Sequence, residues 1–239
     1  GAAVLAAKAC MRTGAGLVTV HLPTIGNSII QTAVPEVMAD LDSENDYITD
    51  NIRIEKYNAI GVGPGIGLEK QTQNVLKLLI QSSSHPIVFD ADAINILAEN
   101  KTWLSFLPAN SILTPHLGEF ERLVGRVSNH EERLKQQIEF SIKYNVYVVL
   151  KGQHTSVSSP RGELFFNSSG NSGMATGGSG DVLTGMITSL VAQGYTSLQA
   201  CILGVFLHGA AGDSAELEIT KESMMAGDII NHISNAYVF

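Results

Sequence analysis

The chain has 239 residues, 44% of them hydrophobic, which is enough for one large α/β domain with a sizeable core. Its net charge of −8 argues against nucleic acid or an anionic membrane as a main partner, so a phosphate ligand must be held by local backbone donors and a metal. Cys10 and Cys201 lie in apolar segments far apart, which fits free thiols in a reducing, cytoplasmic setting, and no apolar run is long enough to span a bilayer.

Residues 1–13 are Ala-rich with apolar positions at helical spacing, and Gly14-Ala15-Gly16 closes that helix. The chain starts inside this helix without an initiator Met, so it reads as a fragment or a processed chain. Leu17-Val18-Thr19-Val20 is a short buried strand. Residues 24–50 are polar and irregular, with a short helix expected around 36–40.

A second strand over 57–62 ends in Gly63-Pro64-Gly65-Ile66-Gly67, and residues 68–82 return to helical spacing. Strand, glycine turn, helix is the layout of a phosphate or substrate loop at the carboxyl edge of a sheet. The glycine spacing fits neither a dinucleotide fingerprint nor a Walker A loop, and a plain tight turn explains it as well.

The third strand, 86–90, runs into Ala91-Asp92-Ala93-Ile94-Asn95. Asp90, Asp92 and Asn95 suit a metal's waters or a substrate hydroxyl, or else Asp92 caps the helix and Asp90 makes a local turn. The fourth strand, 111–114, opens through Pro115 and His116 into a helix on which His116 and Glu119 share one side of the first turn. Ser128 with Glu131 reads as a capping box for an amphipathic helix over 129–143.

The fifth strand, 146–150, is the most apolar and delivers Lys151-Gly152-Gln153-His154-Thr155. Residues 155–158 and 163–166 pair as a hairpin about Pro160-Arg161-Gly162. The tail over 197–212 and 222–231 is helical, with His208 read as a helix-contact histidine and Gly204, Gly209 and Gly212 as sites of close packing. Strands alternating with helices for four rounds give an α/β fold, with a mainly parallel central sheet covered on both faces. No linker or repeat divides residues 1–239.

The chemistry concentrates in Gly177-Gly178-Ser179-Gly180-Asp181, where small residues run into an apolar helix. Glycines turn backbone N–H groups inward, and a helix beginning near Asp181 adds unpaired N–H groups and the positive end of its dipole. That is an anion cradle. Asp181 is then either a helix cap or a general base. A carboxylate beside a phosphate repels the ligand unless it has a task, and accepting a proton from an attacking hydroxyl is the obvious one.

In order and spacing, these five strand-end motifs resemble the ADP/ATP-dependent NAD(P)H-hydrate dehydratase family within the ribokinase-like superfamily, and the resemblance covers essentially the whole chain. It implies a three-layer sandwich, a homotetramer, and possible fusion to an NAD(P)H-hydrate epimerase. The implied reaction is Mg²⁺-dependent. It phosphorylates the ring hydroxyl of the S hydrate of NADH or NADPH from ADP or ATP, then loses phosphate to regenerate the dinucleotide. By matching position, Asp181 would activate the hydroxyl, with Gly178 and Gly180 stabilising the phosphoryl group. Lys151, Gly152, Gln153, His154, Thr155 and Gly180 would contact the nucleotide. Ala3, Gly63, Gly65, Gly67, Asp90, Asn95 and His116 would line the hydrate site with Asp181, and Glu119 would help place the metal. Family members carry a first strand and glycine turn ahead of the helix that starts this chain, and those are expected to be missing here. Two other readings share the scaffold: a small-molecule kinase that releases a stable phosphate ester, and a non-catalytic adenine-nucleotide sensor, for which Asp181 would be dispensable.

Overall fold

The computed structural model describes residues 1–50 and 52–238. Among them a six-stranded sheet runs in the order β3 (Ile60–Val62), β4 (Ile87–Phe89), β5 (Ile112–Leu113), β6 (Tyr147–Leu150), β7 (Ser156–Ser158), β8 (Leu164–Phe166). The first four are mutually parallel, and β7 and β8 pair antiparallel as the expected hairpin. A smaller parallel pair joins β1 (Thr19–Leu22) to β2 (Met38–Leu41).

Side-chain alternation along the strands builds two cores from one sheet. Ile87, Phe89, Leu113, Val148 and Leu150 pack with α3 (Lys70–Ser82), α4 (Ala91–Glu99), α5 (Leu117–Val124) and α6 (His130–Tyr144). Their neighbours Val88, Ile112 and Val149 face the other way, onto α7 (Ser179–Ala192) and α8 (Ser197–Glu216). Behind that layer, α1 (Ala2–Arg12) and α9 (Ala226–Ala236) pack on α7 and α8. Gly185 lets α7 approach the Ala6 carbonyl of α1 closely, where a Cβ would collide. The result is helix, sheet, helix, as expected.

Two local expectations are corrected. The helix expected around 36–40 is the strand β2, preceded by α2 (Asn27–Ala33). Pairing with β1 decides this, since Met38 to Leu41 register against Thr19 to Leu22. The cap of α6 sits one residue later than Ser128: Asn129 accepts from the Glu132 backbone N–H, and the Glu132 carboxylate accepts from Ser128. Cys10 and Cys201 are both buried free thiols. No helix among the described residues is long and apolar enough to cross a membrane.

Candidate active site

The parallel strands β3 to β6 all end on one edge, and each delivers a motif there. Asp90 follows β4 and is only 1% exposed. Its two oxygens are both engaged: Lys151 Nζ donates to Oδ1 at 2.7 Å, and the Thr184 hydroxyl donates to Oδ2 at 2.6 Å. Lys151 comes from the end of β6, its backbone N–H donating to the Pro115 carbonyl. The same ammonium lies 4.0 Å from Glu119.

Glu119 is buried and serves the start of α5. Its Oε2 accepts from the His116 backbone N–H, while His116 Nδ1 accepts from the backbone N–H groups of Gly118 and Glu119. His116 Nε2 lies 3.4 Å from Glu119 Oε1, with half of the ring in solvent. His116 thus caps a helix and still presents an edge to the site.

Gly178 takes φ +90 as the N-cap of α7, and a Cβ there would strike Leu5 of α1. Gly177, by contrast, has open space where a Cβ would stand. The N-cap of α7 is Gly178, so Asp181, three residues further on in the first turn, does not hold the capping position. Of the two readings of this residue, capping is therefore not the one the fold uses. Burial, reinforced by the negative charge of Asp90, pushes its carboxyl up to about 6, with Lys151 acting in the opposite sense. Gly180 is pressed against the cluster: a Cβ there would lie 3.1 Å from Lys151 Nζ.

The turn after β3 closes on the same edge. Gly63, Gly65 and Gly67 all have positive φ, and a Cβ on Gly63 would overlap the Asp90 carbonyl oxygen, so glycine is required there. The Gly67 N–H donates to Asp92, which is thereby tied to this turn rather than to the cap of α4. Ala91 takes φ +45, a strained conformation for a residue with a Cβ, at the point where β4 hands over to α4. The amino end of α1 meets both glycine segments, Ala2 beside Gly65 and Leu5 beside Gly178, with Ala3 between them in sequence.

The outer positions are less converged. The Thr155 hydroxyl donates to the Gly152 carbonyl and closes an exposed turn that carries Gln153 and His154. Asn95 accepts from Arg122 at 2.6 Å, in a groove of about 500 Å³ lined also by Leu68, Ala98 and Glu99. Thr184 went unnoticed in the sequence. It lies three residues beyond Asp181 on a helix, so its place on the same face was open to inspection.

A family model described as NAD(P)H-hydrate dehydratase matches residues 1–235. The chain belongs to the NAD(P)H-hydrate dehydratase family. It is 37% identical to the ADP-dependent (S)-NAD(P)H-hydrate dehydratase of Neisseria meningitidis, over 96% of this chain and 78% of that one. It is 36% identical to the bifunctional NAD(P)H-hydrate repair enzyme of Moorella thermoacetica, over 98% of this chain and 46% of that one. The chain thus spans about half the length of the bifunctional relatives it matches. Among solved structures, the ADP/ATP-dependent dehydratase of Bacillus subtilis, co-crystallised with ATP and Mg²⁺ and soaked with CoA, superposes with a TM-score of 0.85. Identity there is 27%, with 99% of this chain and 86% of that one covered. The ribokinase-like fold expected of the dehydratase family is the fold observed.

Proposed function

We propose that this chain repairs hydrated nicotinamide dinucleotides: it converts the S hydrate of NADH or NADPH to NADH or NADPH at the expense of ADP or ATP. The observation that carries this reading is Asp181, in the first turn of α7 but not at its N-cap, and partly buried beside the glycine cradle. Its carboxylate takes the proton of the ring hydroxyl as that oxygen attacks the terminal phosphoryl group and AMP or ADP departs as the leaving group. The N–H groups of residues 177–180 and the start of α7 hold the charge on the transferring group. Phosphate then leaves with the former hydroxyl oxygen, and a neighbouring ring carbon releases a proton to form the double bond.

Lys151 supports the same step. Fixed by Asp90, its ammonium stands beside Gly180, where it offsets phosphate charge in a chain that is acidic overall. Gly152, Gln153, His154 and Thr155 would lie along the nucleotide. His116, Ala3, Asn95 and the turn of Gly63, Gly65 and Gly67 would enclose the hydrate. The burial of Asp90 supports a part in holding this wall together.

Among the described residues no three His, Cys, Asp or Glu side chains form a metal cage. The buried Glu119 carboxylate is a donor that suits Mg²⁺, which keeps several waters and binds through one or two carboxylates plus substrate phosphates. Glu119 would supply the carboxylate, and the ion would neutralise charge on the phosphoryl oxygens. An epimerase, fused or separate, would supply the S epimer.

The test is recovery of reduced-nicotinamide absorbance from purified NADH hydrate, with Mg²⁺ and either ADP or ATP. Nucleotide-dependent recovery, absent in Asp181→Asn, is the expected result. A phosphorylated product that accumulates without recovery would replace this reading with a kinase.

A further inference from the structure

His208 and the run from Gly209 to Asp213 lie on α8, outside the reacting groups, yet they meet both ends of the segment 170–179 that leads into the glycine cradle. At one end, Asp213 Oδ2 accepts from the Gly170 backbone N–H at 2.8 Å, and Oδ1 accepts from Asn171 Nδ2 at 3.1 Å. Asn171 Nδ2 also reaches the Gly212 carbonyl at 3.0 Å, and its Oδ1 accepts from the Gly173 N–H. At the other end, His208 Nε2 lies 3.3 Å from the hydroxyl of Ser179, the first residue of α7. Gly209 and Gly212 leave room for this approach: a Cβ on either would overlap Ser169 or the Met174 side chain.

We propose that Asp213 and His208 are positioning residues, clamping the two ends of segment 170–179 so that its N–H groups face the transferring phosphoryl group beside Asp181. The clamp explains why a long apolar helix carries a carboxylate and an imidazole toward one loop. A glycine-rich segment has many conformations open to it, and an oxyanion site works only when its donors are held in place beforehand. Burial holds the His208 ring down at about 4, so it meets the cradle as a neutral hydrogen-bonding group and adds no charge of its own. This inference rests on the phosphoryl-transfer reading of the site.

The test is a double-mutant cycle of Asn171→Ala and Asp213→Asn, with His208→Gln and a Ser214→Ala control beside them, read as kcat, KM for the hydrate and Tm. The clamp variants are expected to lose roughly 10- to 100-fold in kcat, the scale of a misplaced catalytic group, with KM changed less than about twofold. The two losses in the cycle should be strongly non-additive, because both changes open one clamp. Wild-type kcat in folded clamp variants, or additive losses, would overturn the inference. Should Asp213→Asn fail to fold, Asn171→Ala and His208→Gln carry the same kcat comparison. An inactive wild-type protein would instead count against the proposed function itself.

Discussion

Lys151 Nζ stands 2.7 Å from Asp90 Oδ1, an ion pair that reaches from the end of β6 to the end of β4 across the intervening β5. Asp90 is almost wholly buried, so its charge depends on this partner and on the Thr184 hydroxyl. Lys151→Met should cost about 3 kcal/mol, because removing one partner leaves an uncompensated buried charge. Adding Asp90→Asn to that variant should restore much of the loss. Urea denaturation of the single and double variants measures this, and a Lys151→Met protein as stable as wild type would refute it.

As the proposed base, Asp181 should set the pH dependence of turnover. A base must be ionised to work, so kcat/KM for the hydrate should rise with pH through about 6 and level off above it. Asp181→Asn should lose about 10²- to 10⁴-fold in kcat, the usual worth of a general base, while adenine-nucleotide binding persists. A profile flat from pH 5 to about 8 in the wild type would remove Asp181 from this role.

The same carboxyl and His208 pull stability in opposite directions. The folded protein raises Asp181 from 3.8 to about 6, so between those values the native state holds the extra proton and stability falls as pH rises. It lowers His208 from 6.5 to about 4, so there the unfolded state holds the extra proton and stability rises with pH. The two slopes oppose each other between pH 4 and 6. Asp181→Asn should leave the His208 slope exposed, and should stabilise the protein at neutral pH by about 1 kcal/mol after allowance for solvent screening. Denaturation midpoints of both proteins across this range decide the matter, and parallel curves would count against it.

Adjacent glycines of the cradle should respond differently to the same change. Gly178→Ala forces a Cβ into Leu5 at φ +90 and should cost about 1–3 kcal/mol of stability. Gly177→Ala meets open space, so its stability should stay within about 0.5 kcal/mol of wild type. If that space receives the phosphoryl group, Gly177→Ala should still weaken nucleotide turnover. Thermal melts with parallel assays separate the two effects, and equal melting losses would contradict the geometry.

Most of what the sequence made legible was local. The apolar runs at 86–90 and 146–150, the glycines that follow residues 62 and 151 and the placement of Asp181 at the start of an apolar helix are all features of a few neighbouring residues. They were enough for the parallel strands β3 to β6 and the hairpin, while the order and spacing of the five motifs carried the resemblance to the family. What the tertiary structure alone decided is which of these motifs touch. Residues 38–41 became β2 because β1 offered an open edge to pair with, and no property of that segment announces its partner. Asp90 became a buried anchor because Lys151 and Thr184, 61 and 94 residues away, arrive at its two oxygens. His208 read as a helix-contact histidine and Asp213 drew no reading until segment 170–179 was laid against them. The physical reason is common to all three: hydrogen bonds and ion pairs depend on distances of about 3 Å, and only the packed chain sets those between residues far apart in sequence.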